Sequence, residues 1–377
     1  MRSARYVATV TLCATLACCF ALPAFARRSI RAQSLPVLSV LDIGGFGNPG
    51  GPSAAYAISN GLVVGSALTA GNNGQQNAVA TRGAGLTDIG AGIYGTAAFA
   101  VNAGGIAAGE VFLPGPTQQR AVLFSGGREI NLGVLPGDAA SVATAINRQG
   151  VVVGTSTPSS GAAYVSQAFV YQNGTMSSVP QLSGLTGFLG ANAQGVNDAG
   201  VVVGSVGIKQ GALGAATSSY TLAGSTLTMF ATVHGYANSQ ATAVNSSGIV
   251  AGYYSTFSFS VNAPLHAYKF NNGNGKFTDL GTLYPTEPYA FSVANAINSA
   301  GVVVGDSQQE GGASPPHATV FARGQVTDLN TLIAPNSGWL LETATGIDNS
   351  GTIVGVGLHN SIQRGFILPT GSVFTAH

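Results

Sequence analysis

The chain reads as all-β, a seven-bladed β-propeller of four-stranded antiparallel blades closed by an N-terminal strand that completes the last blade. Three observations predict this. One hairpin motif recurs seven times, two further strand-like runs follow most copies, and the strand missing after the last copy stands ahead of the first.

Internal repetition is the first signal. ATAINRQGVVVG from Ala143, AQGVNDAGVVVG from Ala193, ATAVNSSGIVAG from Ala241, ANAINSAGVVVG from Ala294 and ATGIDNSGTIVG from Ala344 align without gaps. AFAVNAGGIAAG from Ala98 fits equally well, and AYAISNGLVVG from Ala55 fits with one residue deleted in the turn. The copies end at Gly65, Gly109, Gly154, Gly204, Gly252, Gly305 and Gly355, spaced by 44, 45, 50, 48, 53 and 50 residues.

Each copy holds two apolar runs flanking a short turn, the pattern of a β-hairpin. The turn opens with Ser59, Asn102, Asn147, Asn197, Asn245, Asn298 or Asp348, side chains able to bond the backbone two residues on. It ends with Gly61, Gly105, Gly150, Gly200, Gly248, Gly301 or Gly351, which predicts a left-handed backbone there. The second run, as in Val151-Val152-Val153, is continuously apolar and suits a strand buried on both faces.

Third strands are predicted at 120–124, 167–171, 266–270 and 317–321, and fourth strands around Asp88, Asn131, Asp279 and Asp328. Four antiparallel strands in about 45 residues make a propeller blade. The fourth copy follows the template loosely from Gly207 to Val233, through 219–222 and 227–230. A parallel β-helix has no need of recurring hairpin turns, and no long 3.6-period segments support a helical solenoid. At the start, 39–45 match a fourth strand with no partners before it; at the end, 364–368 match a third strand with none after it. Joining them closes the ring and leaves no unpaired sheet end.

Residues 1–26 read as a secretory signal peptide. Arg2 and Arg5 precede a mostly apolar run over 6–22, and Ala24-Phe25-Ala26 offers a small-x-small cleavage site. The run is short for a membrane span, which takes about 20 apolar residues. An uncleaved anchor and a lipid-modified Cys18 are the weaker alternatives. The expected organisation is signal peptide 1–26, linker 27–36, a single propeller over 37–370 and a C-terminal tail over 371–377. All three cysteines, Cys13, Cys18 and Cys19, fall in the leader, so the processed chain has no thiol chemistry. Cleavage leaves 12 basic and 13 acidic residues. That balance, with only 7% charged residues, argues against a nucleic-acid binder and against a disordered chain.

The motif A-x-A-I-N-x-x-G-x-V-V-G, the His266–Phe270 run and Thr278–Leu283 resemble the HAF repeat of bacterial exported proteins over nearly the whole processed chain. Most third strands here begin with residues other than His. The resemblance implies an exported bacterial repeat protein, periplasmic or extracellular, and supplies no activity and no catalytic residues.

No phosphate loop, HExxH, GxSxG or calcium loop occurs. His266 and His317 occupy equivalent places and could face a common channel as metal or acid–base groups; as polar openers of a strand they need no such role, and Arg120, Gln167 and Arg364 hold the same column. His234, His359 and His377 fall outside it. Asp42, Asp88, Asp279 and Asp328 could form a carboxylate ring or merely tie down turns. The turn asparagines could present amides to a ligand or spend them on their own turns. Trp339, in a connection over 333–343, could stack a sugar or cap the core. In each case the structural role is expected. No catalytic, cofactor-binding or metal residue is assigned, and no cofactor. Variable inserts at 155–166, 255–265 and 307–316 are the expected carriers of specificity. The expected function is a monomeric, non-enzymatic binding or scaffold propeller for a protein or glycan ligand. A glycan hydrolase or lyase using central carboxylates is the alternative.

Overall fold

The hairpin motif forms the two inner strands, A and B, of every blade in the computed structural model. It describes residues 36–47, 50–69, 75–90, 94–114, 119–159, 165–209, 215–230, 238–255, 264–312 and 314–374. The predicted signal peptide, its cysteines, His234, His377 and the centres of the inserts 155–166 and 255–265 lie outside these residues.

Seven four-stranded antiparallel sheets form a ring, with one short helix, Pro180–Ser183, among the described residues. Blade 6 shows the pattern: strand A Phe291–Ile297, B Val303–Gln308, C His317–Ala322 and D Gln325–Asp328, each paired with the next. Blades 1 to 5 cover residues 53–88, 96–131, 138–178, 188–229 and 239–281 in the same order. The loosely patterned fourth copy is a full blade, its C and D strands at Ala215–Ala223 and Thr226–Met229. Each strand A neighbours the strand A of the blades on both sides, which puts the seven A strands at the centre.

Closure occurs as the chain's two ends predict. Blade 7 takes Trp339–Ile347, Thr352–His359 and Ile362–Pro369 as A, B and C, and Leu41–Asp42 as D, with Leu41 opposite Ile367 and Asp42 opposite Phe366. Ile43 is fully buried beside Ala55 and Ile367. Past the last strand the chain stays on the ring, and Phe374 is buried in the apolar cluster between blades 6 and 7. Seven such clusters occur, one in each seam between adjacent blades. The core is thus divided among seams, and what holds one seam need not hold another.

Two glycines per hairpin have distinct physical causes. The turn glycine adopts a left-handed backbone in every blade, from φ 73° at Gly61 to 84° at Gly351, as expected. The glycine that ends each motif sits opposite a β-bulge: strand A slips register at the residue after the motif's first alanine in all seven blades. A Cβ on Gly65, Gly154 or Gly305 would overlap the backbone carbonyl of Ala54, Val142 or Val293.

Candidate functional site in the seam between blades 1 and 2

The turn asparagines do more than hold their turns. Each Oδ1 accepts from its own turn, as Asn147 does from Val151 N at 2.9 Å. Each Nδ2 is given to the equivalent carbonyl of the next blade: Asn102 to Asn147 (3.1 Å), Asn147 to Asn197 (3.1 Å), Asn197 to Asn245 (3.0 Å), Asn245 to Asn298 (3.0 Å) and Asn298 to Asp348 (3.3 Å). This amide belt spans five seams. It stops at Asp348 and Ser59, neither of which has an amide to give.

The bulged residue supplies a second tie. Thr144, Thr242 and Thr345 each donate Oγ1 to the next blade's Ala193, Ala294 or Ala55 carbonyl at 2.6–2.7 Å. Asn295 does the same toward Ala344 at 3.1 Å. Tyr56 and Phe99 stand at the bulge in blades 1 and 2. Their rings pair across the seam, centroids 5.4 Å apart at 51°. Seam 1–2 therefore lacks both the belt amide and the bulge tie. Its remaining described side-chain bonds are Ala78 N to Thr96 Oγ1 (2.8 Å) and a long Asn60 Nδ2 contact to the Ala103 carbonyl (3.5 Å).

A cavity of about 550 Å³ opens in this seam, on the face opposite the hairpin turns. Tyr56, Phe99, Tyr94 and Phe112 supply rings, and Gln75, Gln76 and Glu110 supply polar groups. Glu110 is buried on strand B of blade 2, where burial pushes its carboxyl up to about 7. Its Oε2 accepts from Gln119 Nε2 at 2.7 Å. Gln75 Oε1 is buried without a hydrogen-bond partner, an acceptor whose desolvation is uncompensated. Among the described residues lining the cavity, Glu110 is the only carboxyl, and no cationic side chain is present. Asp306 occupies the equivalent place in blade 6, directly after the motif glycine. Burial raises it to about 6, although Asn295 Nδ2 bonds it at 3.2 Å. There the bulge residue is a tie.

The residues singled out by sequence make the following contacts. Asp42, Asp88 and Asp279 each accept at Oδ1 from the backbone N–H of Gly44, Gly90 or Gly281, and Asp328 accepts from Asn330 N, all at 2.7–2.9 Å. Asn131 does the same for Gly133. The other oxygen meets His266 Nδ1 (3.0 Å) at Asp279, His317 Nδ1 (2.7 Å) at Asp328 and Asn77 Nδ2 (2.8 Å) at Asp88. These pairs link strands C and D, away from the central A strands. His359, outside the sequence column, reaches Asp42 at 2.7 Å and so ties strand B of blade 7 to the closing strand. Arg364 clamps the Gly50 and Gly51 carbonyls. Trp339 begins strand A of blade 7, rather than lying in a connection, and stacks on His359 with centroids 4.5 Å apart at 3°. Among the described residues no group of three or more His, Cys, Asp or Glu could hold a metal, and no helix is long and apolar enough to cross a membrane.

Sequence reasoning passed over Tyr56, Phe99 and Glu110. The signal was present in the columns. The bulge position reads Tyr, Phe, Thr, Gln, Thr, Asn, Thr, and the position after the motif glycine reads Ser, Glu, Thr, Ser, Tyr, Asp, Val.

The fold and closure define a seven-bladed propeller with a strand-exchange seal, and comparison with known proteins bears on the propeller fold. Residues 208–364 match the family model described as Protein of unknown function (DUF3466), less than half of the chain. No curated protein matches the sequence. Among solved structures, the β-propeller domain of the Trilobed protease from Pyrococcus furiosus superposes with a TM-score of 0.56 at 10% identity, covering 84% of this chain and 95% of that one. A Mycobacterium tuberculosis puromycin-hydrolyzing peptidase gives 0.48 at 12% identity, over 81% of this chain and 50% of its own. The WD40 propeller domain of Doa1 gives 0.38 at 11%, covering 88% and 96%. At these identities the likeness is one of fold alone.

Proposed function

We propose that the chain is an exported binding propeller of the HAF-repeat kind, without catalytic activity, whose ligand occupies the cavity between blades 1 and 2. The observation that carries this reading is the double substitution at the bulge. Two aromatic rings stand where the repeat uses hydrogen-bonding ties, and they wall a cavity of ligand size (about 550 Å³). A seam that gives up both the belt amide and the bulge tie, at a cost in inter-blade bonding, does so for a role other than stability. Screening the protein recovered from the exported fraction against glycan and protein arrays tests the reading. Binding that Tyr56→Ala and Phe99→Ala abolish, and that an outer-strand change such as Thr87→Ala leaves intact, supports it. Binding indifferent to both ring substitutions refutes it. Export itself predicts a processed N-terminus at Arg27.

One observation favours a second reading, a glycan hydrolase or lyase. Glu110 keeps its proton close to neutral pH, as a general acid does. Glycoside hydrolysis ordinarily uses a pair of carboxyl groups about 5–10 Å apart, and the described lining offers one. Release of reducing sugar that Glu110→Gln abolishes would establish the enzymatic reading instead.

A further inference from the structure

Resting on the reading of the seam as a binding site, we infer that its ligand is a neutral sugar ring, held flat against Tyr56 or Phe99 with a hydroxyl on Glu110. The chemistry of the lining narrows the choice. An anionic ligand would need a cation to receive it, and none occurs among the described residues that line the cavity. An apolar ligand would offer the Glu110 carboxyl nothing beyond its bond to Gln119. A cationic ligand suits aromatic faces, but it calls for a carboxylate held ionised. Glu110 instead lies buried with an amide, Gln119, as its bonded neighbour. A protonated carboxyl can donate and accept. A sugar hydroxyl can meet it in either sense, and the C–H face of a pyranose suits the negative face of a ring.

The test is a calorimetric titration of the exported protein with three classes of probe: neutral oligosaccharides of gluco, manno and galacto configuration, a hexagalacturonate, and choline. A neutral sugar is expected to bind. Tyr56→Ala should weaken it at least about tenfold, the loss of roughly 1.4 kcal/mol. Glu110→Gln, which can still donate and accept, should stay within about threefold of wild type, and Glu110→Leu should fall at least about tenfold. Circular dichroism and an unfolding midpoint verify that each variant folds. Choline or hexagalacturonate binding that Tyr56→Ala removes, with no neutral sugar bound, would overturn the ligand class and leave the site standing. No probe bound in a Tyr56-dependent way, together with array binding that ignores both rings, would remove site and ligand together. Neutral sugar binding unaffected by Tyr56→Ala also overturns the inference, because the sugar then sits elsewhere.

Discussion

Seams 1–2 and 3–4 join equivalent blades by different means. Between blades 3 and 4, Thr144 reaches Ala193 O, Asn147 reaches Asn197 O, and Arg148 meets Asp198 through both backbone and side chain. Between blades 1 and 2 the same positions hold Tyr56, Ser59 and Asn60, and a ring pair and a cavity replace the polar ties. The apolar cluster is present in both. Burial with few polar bonds therefore suffices to close a seam, and the belt and bulge ties are an added layer that can be given up locally. The seam that gives them up has room for a ligand.

The largest expected effect comes from breaking the belt where it is intact. Asn197→Leu removes the donor to Asn245 O and the acceptor for Ala199 N and Val201 N. With buried donors left unpaired at about 1–3 kcal/mol each, we expect a loss of about 3 kcal/mol in denaturant unfolding. Ser59→Leu, at the belt's open end, should cost under about 1 kcal/mol. Equal losses would show that the belt carries no special weight.

Next in size is converting seam 3–4 toward seam 1–2. Thr144→Tyr loses the Oγ1 hydroxyl shared between the Ala193 and Val153 carbonyls and forces a ring into a filled seam, for an expected loss of about 1–3 kcal/mol. The reverse change, Tyr56→Thr, should restore a tie toward Ala98 O and shift stability by less than about 1 kcal/mol, while erasing binding. Thermal unfolding of the pair checks the asymmetry.

A pH effect separates the cavity from the rest. The folded-state pKa of Glu110 lies above its ordinary 4.5, at about 7. Its contribution is therefore full below pH 4.5 and is lost as pH rises through about 7. The stability of the wild type relative to Glu110→Gln should fall over that interval and level off above it. A difference independent of pH would place Glu110 in contact with water.

Much of this was legible in the sequence, and the limits are instructive. The count of blades, the sealing role of 39–45 and the left-handed turn glycines follow from local backbone needs, which repeat with the motif. The tying of strand D by Asp42, Asp88, Asp279 and Asp328 was also readable, since an Asp before a glycine turn bonds its own backbone. The belt was half readable: Oδ1 serves its own turn, but the destination of Nδ2 depends on the neighbouring blade. His359 meeting Asp42 joins residues from opposite ends of the chain, and no spacing reveals it. The cavity was missed because alignment directs attention to what recurs, whereas Tyr56, Phe99 and Glu110 are informative as departures from their columns.

Hydrogen–deuterium exchange of the unliganded protein tests the central claim most directly, comparing strand A of blade 2 (Thr96–Val101) with strand A of blade 4 (Phe188–Val196). The two face seams 1–2 and 3–4. Faster exchange in Thr96–Val101 is predicted, because local opening there breaks fewer inter-blade bonds. Equal protection, or faster exchange in Phe188–Val196, would contradict the account of seam 1–2 as the joint given over to binding.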